Sequence, residues 1–446
     1  MSDSRTRPEV VVIGGGFTGL AAAFELSRLG IRPTVLEEDR QIGGLAGSFR
    51  INDASVDKFY HHWFTNDVDA FCLLRDLGAE DRLVYRPSRT GLYYGGGIFA
   101  LSSPWDLLRF SPLSFRDRLR LGRLVLKARK ITDWRALESL TAEEWLLKLC
   151  GPEVYKVVWA PLLRGKFGPY ASEVSAVWFW NKLKLRGSSR GRGAKEVLAY
   201  VRGGFGAVAE LLASAIESAG GKVLTGSPAT GLDVADGRIR AVLTPQGAVR
   251  ADAAIATPAL PIVADLLQPH APGQYVEQLR RIDYLANVCL VLEMDHSLSP
   301  IYWLNVNDGD FPFVGVIEHT NLEPNETYGG RHITYLSKYL PHTAELYAMS
   351  DEQVLDYCLP HLQRMFPRFD RSWVRRHHVW RARYAQPVVV RRYGDMIPTA
   401  ATPVSGLYLA SMAQIYPEDR GTNYAIRDGR AVARVVAADL AARQHP

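Results

Sequence analysis

Three glycines near the N-terminus have the spacing of a dinucleotide-binding loop. Gly14, Gly16 and Gly19 form the pattern GxGxxG, and Glu37 follows about twenty positions later, as that pattern requires. The first glycine permits a tight turn, the second lets the backbone approach a pyrophosphate, and the third lets helix and strand pack closely. The carboxylate of Glu37 can accept hydrogen bonds from a ribose 2′-hydroxyl and would repel a 2′-phosphate, which disfavours NADP.

The residues around this loop have the patterns of the strands and helix that must position it. Residues 9–13 are a Val- and Ile-rich run typical of a buried parallel strand. Residues 17–29 are rich in Ala and Leu at helical spacing, and Gly30 is typical of a helix C-terminal cap. PTVLE at 33–37 predicts a second strand. We therefore predict a strand–helix–strand unit whose helix N-terminus faces the phosphates.

A longer stretch around the loop resembles a known family. After Glu37 the sequence continues as EDRQIGGLAGSF, which is similar to the extended fingerprint of FAD-dependent oxidoreductases of the amine oxidase, protoporphyrinogen oxidase and phytoene desaturase group. The resemblance continues over 203–239 and ends in GLYLASMAQIYPEDRGTNYAIRDGR, which looks like the segment beside the flavin ring. It implies FAD rather than NAD. The candidate cofactor-binding residues are Gly14, Gly16, Phe17, Thr18, Gly19, Glu37, Glu38, Gly43, Gly44, Leu45, Ala46, Ala229, Thr257, Gly421, Thr422 and Asn423.

The fold class expected from these patterns is α/β, with a discontinuous Rossmann-like FAD-binding domain and an inserted mixed α+β substrate domain. We assign residues 1–70, 196–265 and 400–446 to the FAD-binding domain, and 71–195 and 266–399 to the substrate domain. Residues from about 67 to 192 are predicted to be mainly helical, whereas 280–395 mix strand-like runs with a helix near 351–366.

Two departures from the family pattern limit the expected chemistry. Amine oxidases of this group carry a lysine near flavin N5, and the matching stretch YLANVCLVLEM has Asn287 instead, which makes amine oxidation less favoured. No cysteine lies in the C-terminal segment, so FAD is expected to be bound non-covalently. The four cysteines are scattered without a CxxC pair, and we expect neither a metal site nor a disulfide scaffold.

The histidine-rich segment VDKFYHHWFTND at 56–67 bears a second, weaker resemblance, to UDP-galactopyranose mutases. That resemblance implies a redox-neutral alternative, in which reduced flavin N5 attacks an anomeric carbon and displaces a diphosphate. His61 or His62 would then contact the flavin or carry a proton; the other interpretation is a packed loop with one internally bonded histidine. Arg420, in the C-terminal segment, could stabilise negative charge on the reduced flavin, although Glu418 and Asp419 could instead simply pair with it. His61, His62 and Arg420 are the candidate catalytic residues.

Cations and aromatics in two further segments suggest a site for a phosphorylated substrate. An arginine fork can bind a diphosphate and an aromatic face can stack on a base or sugar. The alternative is a solvated basic loop beside core tryptophans. The candidate substrate-binding residues are Arg164, Lys166, Arg186, Arg190, Tyr384 and Tyr416.

The charge balance allows an anionic partner without requiring one. The 446 residues have a formal net charge of +6, and the pI is about 9.0. Residues 114–130 form a basic amphipathic helix that either covers the core or contacts an anionic membrane peripherally. No stretch is apolar enough to span a membrane, no nucleic-acid-binding module is recognisable, and no secretion signal is visible, so we expect a cytoplasmic protein with a small-molecule substrate. The oligomeric state is left open.

These observations together predict an FAD-dependent oxidoreductase of the oxidase, dehydrogenase or desaturase type. Its expected substrate is bulky and either anionic or isoprenoid-like. The sugar-nucleotide mutase is the alternative.

Overall fold

A computed structural model describes residues 8–188 and 196–444; for 186–188 and 444 only the backbone is described. The strands, numbered in chain order, are β1 (Glu9–Ile13), β2 (Arg32–Leu36), β3 (Ser48–Ile51), β4 (Ala54–Asp57), β5 (Trp63–Phe64), β6 (Leu83–Pro87), β7 (Thr90–Tyr94), β8 (Gly97–Ala100), β9 (Val197–Val201), β10 (Lys222–Leu224), β11 (Gly231–Ala235), β12 (Arg238–Thr244), β13 (Gly247–Arg250), β14 (Ala253–Ala256), β15 (Tyr284–Met294), β16 (Trp303–Val306), β17 (Gly315–Glu318), β18 (His332–Leu340), β19 (Val374–Pro387) and β20 (Leu407–Leu409). The α-helices are α1 (Phe17–Arg28), α2 (Val68–Asp76), α3 (Pro104–Arg109), α4 (Phe115–Lys130), α5 (Ala142–Val154), α6 (Ala160–Phe167), α7 (Ala176–Ser188), α8 (Gly204–Ser218), α9 (Leu260–Leu267), α10 (Gly273–Arg280), α11 (Glu345–Ala348), α12 (Asp351–Met365) and α13 (Thr422–Gln444).

A parallel sheet with the order β10-β2-β1-β14-β20 forms the centre of the region that carries the glycine loop. Strand β1 lies in its middle, and Val10, Val11 and Val12 are fully buried there. Helix α1 follows β1 directly and packs along α13 and α8. The predicted strand–helix–strand unit is present with bounds within a residue of those expected, because apolar periodicity and the flanking glycines define it locally.

A seven-stranded sheet, in the order β19-β15-β18-β17-β16-β7-β8, forms the second region. Its long strands β15, β18 and β19 pair antiparallel, and the buried residues of β15 continue along nearly its whole length. Helices α3 to α7 follow β8 and pack on one another. The mixed α/β fold class is confirmed, whereas the exact domain boundaries stay a prediction.

The prediction that residues 67–192 are mainly helical was too simple. Strands β6, β7 and β8 lie between α2 and α3, and the last two belong to the seven-stranded sheet. The alternating residues of β7 and β8 flank a turn in which Gly95 and Gly96 both have positive φ. Two glycines with positive φ are typical of the turn of a β-hairpin. The Gly95–Gly96 pair could therefore have predicted β7 and β8 from the sequence.

Candidate functional site

The glycine loop presents bare backbone between β1 and α1. Gly14 has φ +103°, a conformation that favours glycine, and a Cβ on Gly19 would lie 1.9 Å from the Gly14 carbonyl oxygen. Helix α1 begins after Gly16, which has no side-chain cap, so the first-turn N–H groups of the helix point out of the loop. These groups and the helix dipole together favour a bound phosphate.

A second glycine pair closes the loop from the other side. Gly43 donates its N–H to the Gly15 carbonyl at 2.8 Å, and a Cβ on Gly44 would lie 3.2 Å from the Gly16 Cα. Leu45 and Ala46 continue from this pair in a single 3-10 turn. The backbone at Gly16 and the backbone at Gly44 therefore face each other closely, and a side chain on either residue would fill the gap between them.

Glu37, at the end of β2, organises the loop directly. Its Oε2 accepts a hydrogen bond from the Gly15 N–H at 2.6 Å, and its Oε1 accepts one from the Asp39 N–H at 2.8 Å. The side chain is half-buried, and burial raises its pKa although these two hydrogen bonds act in the opposite direction. Each oxygen keeps a second lone pair with which it can accept a ribose hydroxyl. Glu38 is exposed beside it.

The other candidate cofactor-binding residues extend from this loop in two directions. Thr257 donates its hydroxyl to the Ile13 carbonyl at 2.8 Å, against Gly14. Ala229 lies on the segment that follows β10, where the Ser227 N–H donates to the Glu37 carbonyl at 2.8 Å. The segment that carries Ala229 is thus held at the Glu37 end of the site.

Aromatic rings connect the loop to the C-terminal segment. Phe17 contacts Phe205 with ring centroids 6.1 Å apart, and Phe205 contacts His61 at 5.2 Å. A Cβ on Gly429 of α13 would lie 2.2 Å from the Thr18 carbonyl oxygen, which locks α13 onto α1. The N-terminus of α13, preceded by Gly421, is anchored on residues 63–70. Thr422 Oγ1 accepts from Trp63 Nε1 at 2.7 Å, and Asn423 Oδ1 accepts from the Ala70 N–H at 3.0 Å.

The two adjacent histidines face different surroundings. His61 Nδ1 lies 2.6 Å from the Phe59 carbonyl oxygen, and burial together with the positive charge of Arg420 lowers the pKa of His61 to about 4. Its ring is therefore neutral at pH 7. Because a carbonyl oxygen only accepts, Nδ1 carries the hydrogen and Nε2 is the acceptor. His62 Nδ1 instead lies 3.1 Å from the Tyr302 hydroxyl.

Arg420 lies at the centre of a polar cluster formed by five elements. Its guanidinium donates to Gln386 Oε1 at 2.9 Å and to the Tyr339 hydroxyl at 2.8 Å. The neighbouring Asp419 pairs with Lys166 at 3.0 Å and with Lys182 at 2.5 Å. Of the two acids that could instead have paired with Arg420, Glu418 pairs with Arg427, and Asp419 interacts with Arg420 through its charge while pairing directly with the two lysines.

Electrostatics fixes the charge of this cluster. Burial by itself would raise the pKa of Asp419, but the positive charges of Lys166, Lys182 and Arg420 hold it well below its usual value. Lys166 Nζ lies 4.7 Å from the Trp178 ring centroid, a cation–π distance. With Arg420 and both lysines protonated and Asp419 ionised, the four side chains carry a net charge of +2.

Neutral polar groups line the strands beside the cluster. Asn287 on β15 donates to Ser337 Oγ on β18 at 2.9 Å, and the Tyr60 hydroxyl lies 3.3 Å from the same oxygen. Asn287 Oδ1 is buried and has no hydrogen-bond partner among residues 8–188 and 196–444. Asn287, which the resemblance equates with the lysine of amine oxidases, is thus a neutral amide directly beside Ser337 and Tyr60.

The remaining substrate-binding candidates are not brought to the cluster. Arg164 is exposed on α6 and donates to its own helix at the Ala160 carbonyl. Tyr416 packs against Trp134, with centroids 5.3 Å apart, and Tyr384 against Tyr284 at 5.4 Å. Of the four candidates whose side chains the structure describes, Lys166 is the one that contacts the cluster. The side chain of Arg186, and the whole of Arg190, lie outside the described residues.

The family model for flavin-containing amine oxidoreductases matches residues 17–437. The chain belongs to this family. The match spans nearly the whole sequence, from the first residue of α1 through the Arg420 segment. The resemblance to FAD-dependent oxidoreductases of the amine oxidase group is thereby confirmed at the level of the family, and a flavin is the cofactor the family implies.

Individual relatives agree with the family. Protoporphyrinogen oxidase 2 of Arabidopsis thaliana is 28% identical over 163 residues, 35% of this chain and 32% of that protein. Amine oxidase B of Sus scrofa is 30% identical over 193 residues, 41% of this chain and 37% of that protein. These matches span only about a third of each relative's length. An oxidoreductase from Methanosarcina mazei shares the fold, with a TM-score of 0.74 at 19% identity, covering 96% of this chain and 100% of that one. The mutase alternative finds no support in these matches.

The loop of this amine oxidoreductase family member fits the flavin nucleotide that the family implies. A Cβ at Gly14, Gly19 or Gly44 would crowd neighbouring atoms of the chain, so only glycine allows this close approach of bare backbone, and α1 has no side-chain cap to compete with a phosphate. Within the described residues, no group of three or more His, Cys, Asp or Glu side chains is arranged to hold a metal ion.

Sequence reasoning missed Lys182 and Tyr339 as members of the polar cluster. Tyr335, Ser337 and Tyr339 alternate on a mostly buried strand, and that period-two pattern of hydroxyl-bearing residues could have identified Tyr339. Lys182 gave no such pattern, because it lies on α7 more than two hundred positions before Asp419 and meets it only through the fold.

Proposed function

We propose that this chain is an oxidoreductase that binds FAD non-covalently and transfers hydride to or from an anionic organic substrate. The observation that carries the proposal is the cluster around Arg420, in which three cations surround a single carboxylate. Asp419 and Arg420 directly precede α13, whose N-terminus would lie beside the flavin ring if the resemblance holds there.

The charge of this cluster favours an anion over an amine. A carboxylate or phosphate about 4 Å from one of these cations gains about 4 kcal/mol of Coulomb energy at the effective dielectric constant near a protein surface, and an ammonium group is repelled by a comparable amount. Lys166 and Lys182 are both partly solvent-accessible, so an incoming anion can reach them. Asn287 offers an ammonium substrate only one neutral carbonyl oxygen.

The chain's own residues would hold the cofactor and a proton. The glycine loop and the N-terminus of α1 would bind the pyrophosphate, and Glu37 the ribose. Bound FAD supplies the two-electron acceptor. The N-terminus of α13 would stabilise negative charge that develops on the ring on reduction. His61 is neutral at pH 7, and because its pKa is lowered to about 4 its Nε2 would carry a proton released from the substrate only transiently, as a relay.

The state of the cysteines supports non-covalent binding. Burial raises the pKa of Cys150 and of Cys358 to about 12, and it also raises the pKa of the buried Cys289. These thiols are therefore protonated and poorly nucleophilic at neutral pH. Cys72 is exposed on α2. Acid precipitation of the holoprotein should release all the flavin into the supernatant, whereas yellow colour in the pellet would contradict this part of the proposal.

Matched substrates test the charge preference. The holoprotein is mixed anaerobically with carboxylated porphyrinogens, prenyl diphosphates and primary amines, and flavin absorbance is followed over a single turnover. A carboxylic acid that bleaches the flavin is then compared with its methyl ester, which differs only in charge. We expect the acid to reduce the flavin at least about tenfold more efficiently, as a single charge-assisted hydrogen bond would provide. Bleaching by amines alone, or equal rates for acid and ester, would overturn the proposal.

A further inference from the structure

Helices α3 and α4 expose a row of large apolar side chains. Trp105 is 71% exposed, Phe115 62%, Leu126 60% and Leu119 54%. On α4 the three apolar residues fall within about 40° of one another on a helix of 3.6 residues per turn. The opposite face of α4, with Leu121, Leu124 and Ala128, is the one that packs on the core. The row is therefore a second apolar face, and it points to solvent.

The contacts between α3 and α4 make this row one continuous surface. A Cβ on Gly122 would lie 3.6 Å from the side chain of Leu107, so the two helices touch beside the row. Arg118 of α4 donates hydrogen bonds to the carbonyls of Leu113 and Leu108, which fixes α3 against α4. Together these helices form a basic-apolar surface, which consists of the exposed residues Trp105, Leu108, Arg109, Phe115, Arg116, Leu119, Arg123, Leu126 and Lys130.

The positive charge of the chain is concentrated in the segment that carries this surface. Residues 104–130 contain eight basic and two acidic side chains, a net +6, which equals the formal net charge of all 446 residues. Both acids are engaged locally: Asp106 accepts from the Ser103 N–H, and Asp117 accepts from Ser114 and Arg120. The rest of the chain is close to neutral, so the charge of this segment is a local feature and not a general basic character.

We infer that the basic-apolar surface docks the protein on an anionic phospholipid membrane. Apolar side chains flanked by cations on an interfacial helix suit the boundary between headgroups and acyl chains. A second copy of the chain would place one +6 segment against another, and a nucleic acid would leave the apolar row exposed to water. No helix in the part of the chain that the structure describes is long and apolar enough to cross a membrane, so the docking would be peripheral.

The surface is connected to the polar cluster around Arg420. Trp180 of α7 donates its indole N–H to the Ala128 carbonyl of α4 at 2.8 Å. Helix α7 also carries Lys182, which pairs with Asp419 in that cluster, and Trp178, whose ring contacts Lys166. Docking through α4 would therefore hold the cationic cluster close to the membrane. The inference itself stands on the exposed surface and does not depend on the proposed function.

Co-sedimentation of the holoprotein with vesicles tests the inference. One set of vesicles is phosphatidylcholine alone, and the other contains equal amounts of phosphatidylcholine and phosphatidylglycerol. We expect binding to the anionic vesicles at low salt, a loss of about tenfold or more in the triple variant W105S/F115S/L119S, and a similar loss in R116Q/R123Q/K130Q. The matched control V68S/Y357S/V435S removes three exposed apolar side chains elsewhere and should bind as the parent does.

Flavin content and the far-ultraviolet circular dichroism spectrum identify any variant that fails to fold. If W105S/F115S/L119S does not fold, the test rests on vesicle binding by R116Q/R123Q/K130Q, which alters only exposed side chains. Absence of binding by the parent protein, or equal binding by parent and W105S/F115S/L119S, would overturn the inference. A further result would also overturn the inference: the parent protein does not bind vesicles but forms a dimer in sedimentation equilibrium, and W105S/F115S/L119S abolishes that dimer. In that case a second copy of the chain covers the surface.

Discussion

The nucleotide-binding loop and the polar cluster around Arg420 are built in opposite ways. The loop is made of backbone brought into contact by the absence of side chains, and its segments lie within the first 47 residues. The cluster is made of long charged and polar side chains contributed by α6, α7, β18, β19 and the segment before α13. Substitutions in the loop should therefore act all-or-none on cofactor binding, whereas substitutions in the cluster should lower the affinity for substrate by degrees.

Gly19→Ala should have the largest effect, because the added Cβ would lie 1.9 Å from a backbone oxygen that cannot move without breaking the loop. We expect loss of the flavin and destabilisation by about 3 kcal/mol or more. The ratio of flavin to protein absorbance and urea unfolding measure both. Gly273→Ala, whose Cβ meets no atom within 4 Å, is the control and should keep its flavin. A fully yellow Gly19→Ala protein would break the contrast between the two regions.

The pH dependence of stability tests the junction where the regions meet. Asp57 ends β4, accepts from the Phe205 N–H and from the Tyr200 hydroxyl, and burial raises its pKa from 3.8 to about 7. The folded state thus keeps a proton that the unfolded state has lost between about pH 4 and 7. The stability from this proton is complete below pH 4 and is lost as the pH rises through 7.

Urea unfolding of the parent and of Asp57→Asn should show this loss. Relative to the variant, the parent should lose about 4 kcal/mol between pH 4 and 7 and little more above pH 8. Asp236→Asn, at an exposed carboxylate, should leave the parent's profile unchanged. If the difference between parent and Asp57→Asn is constant with pH, Asp57 is ionised in the folded protein throughout.

Glu37→Ala should weaken FAD binding by about tenfold or more, because two backbone N–H groups lose their acceptor and the ribose loses a partner. Glu37→Gln keeps one acceptor oxygen, so its affinity for FAD should lie between those of Glu37→Ala and the parent. Flavin fluorescence, which rises as FAD is released, gives the dissociation constants. Glu217→Ala, at an exposed position of α8, controls for charge. Equal affinities for all three proteins would show that Glu37 supports the loop without contacting the cofactor.

The same contrast explains what could be predicted from the sequence. Strand β1, helix α1 and strand β2 were located within a residue, because glycine spacing and apolar periodicity are local properties. The side of α4 that faces solvent was not decided, because Phe115, Leu119 and Leu126 form as good an apolar stripe as Leu121, Leu124 and Ala128. Only the packing of α5 and α7 selects between them. Likewise, 253 positions separate Lys166 from Asp419, and no periodicity connects them.

Lys182→Gln should have the smallest effect, and it tests directly whether the Arg420 cluster acts on the substrate and not on the cofactor. The Lys182 side chain is 35% exposed and shares Asp419 with Lys166, so solvent screening and the second lysine both reduce what its removal costs. We expect the KM for an anionic substrate to rise by about three- to tenfold, with kcat and flavin content unchanged. The control, Lys184→Gln, lies two positions further along the same helix and on nearly the opposite face, where its ammonium contacts Trp180 instead of Asp419. A fall in kcat at constant KM would mean that Lys182 acts on the chemical step. A loss of flavin would mean that the cluster belongs to the cofactor site, and the division between the two regions would then be drawn in the wrong place.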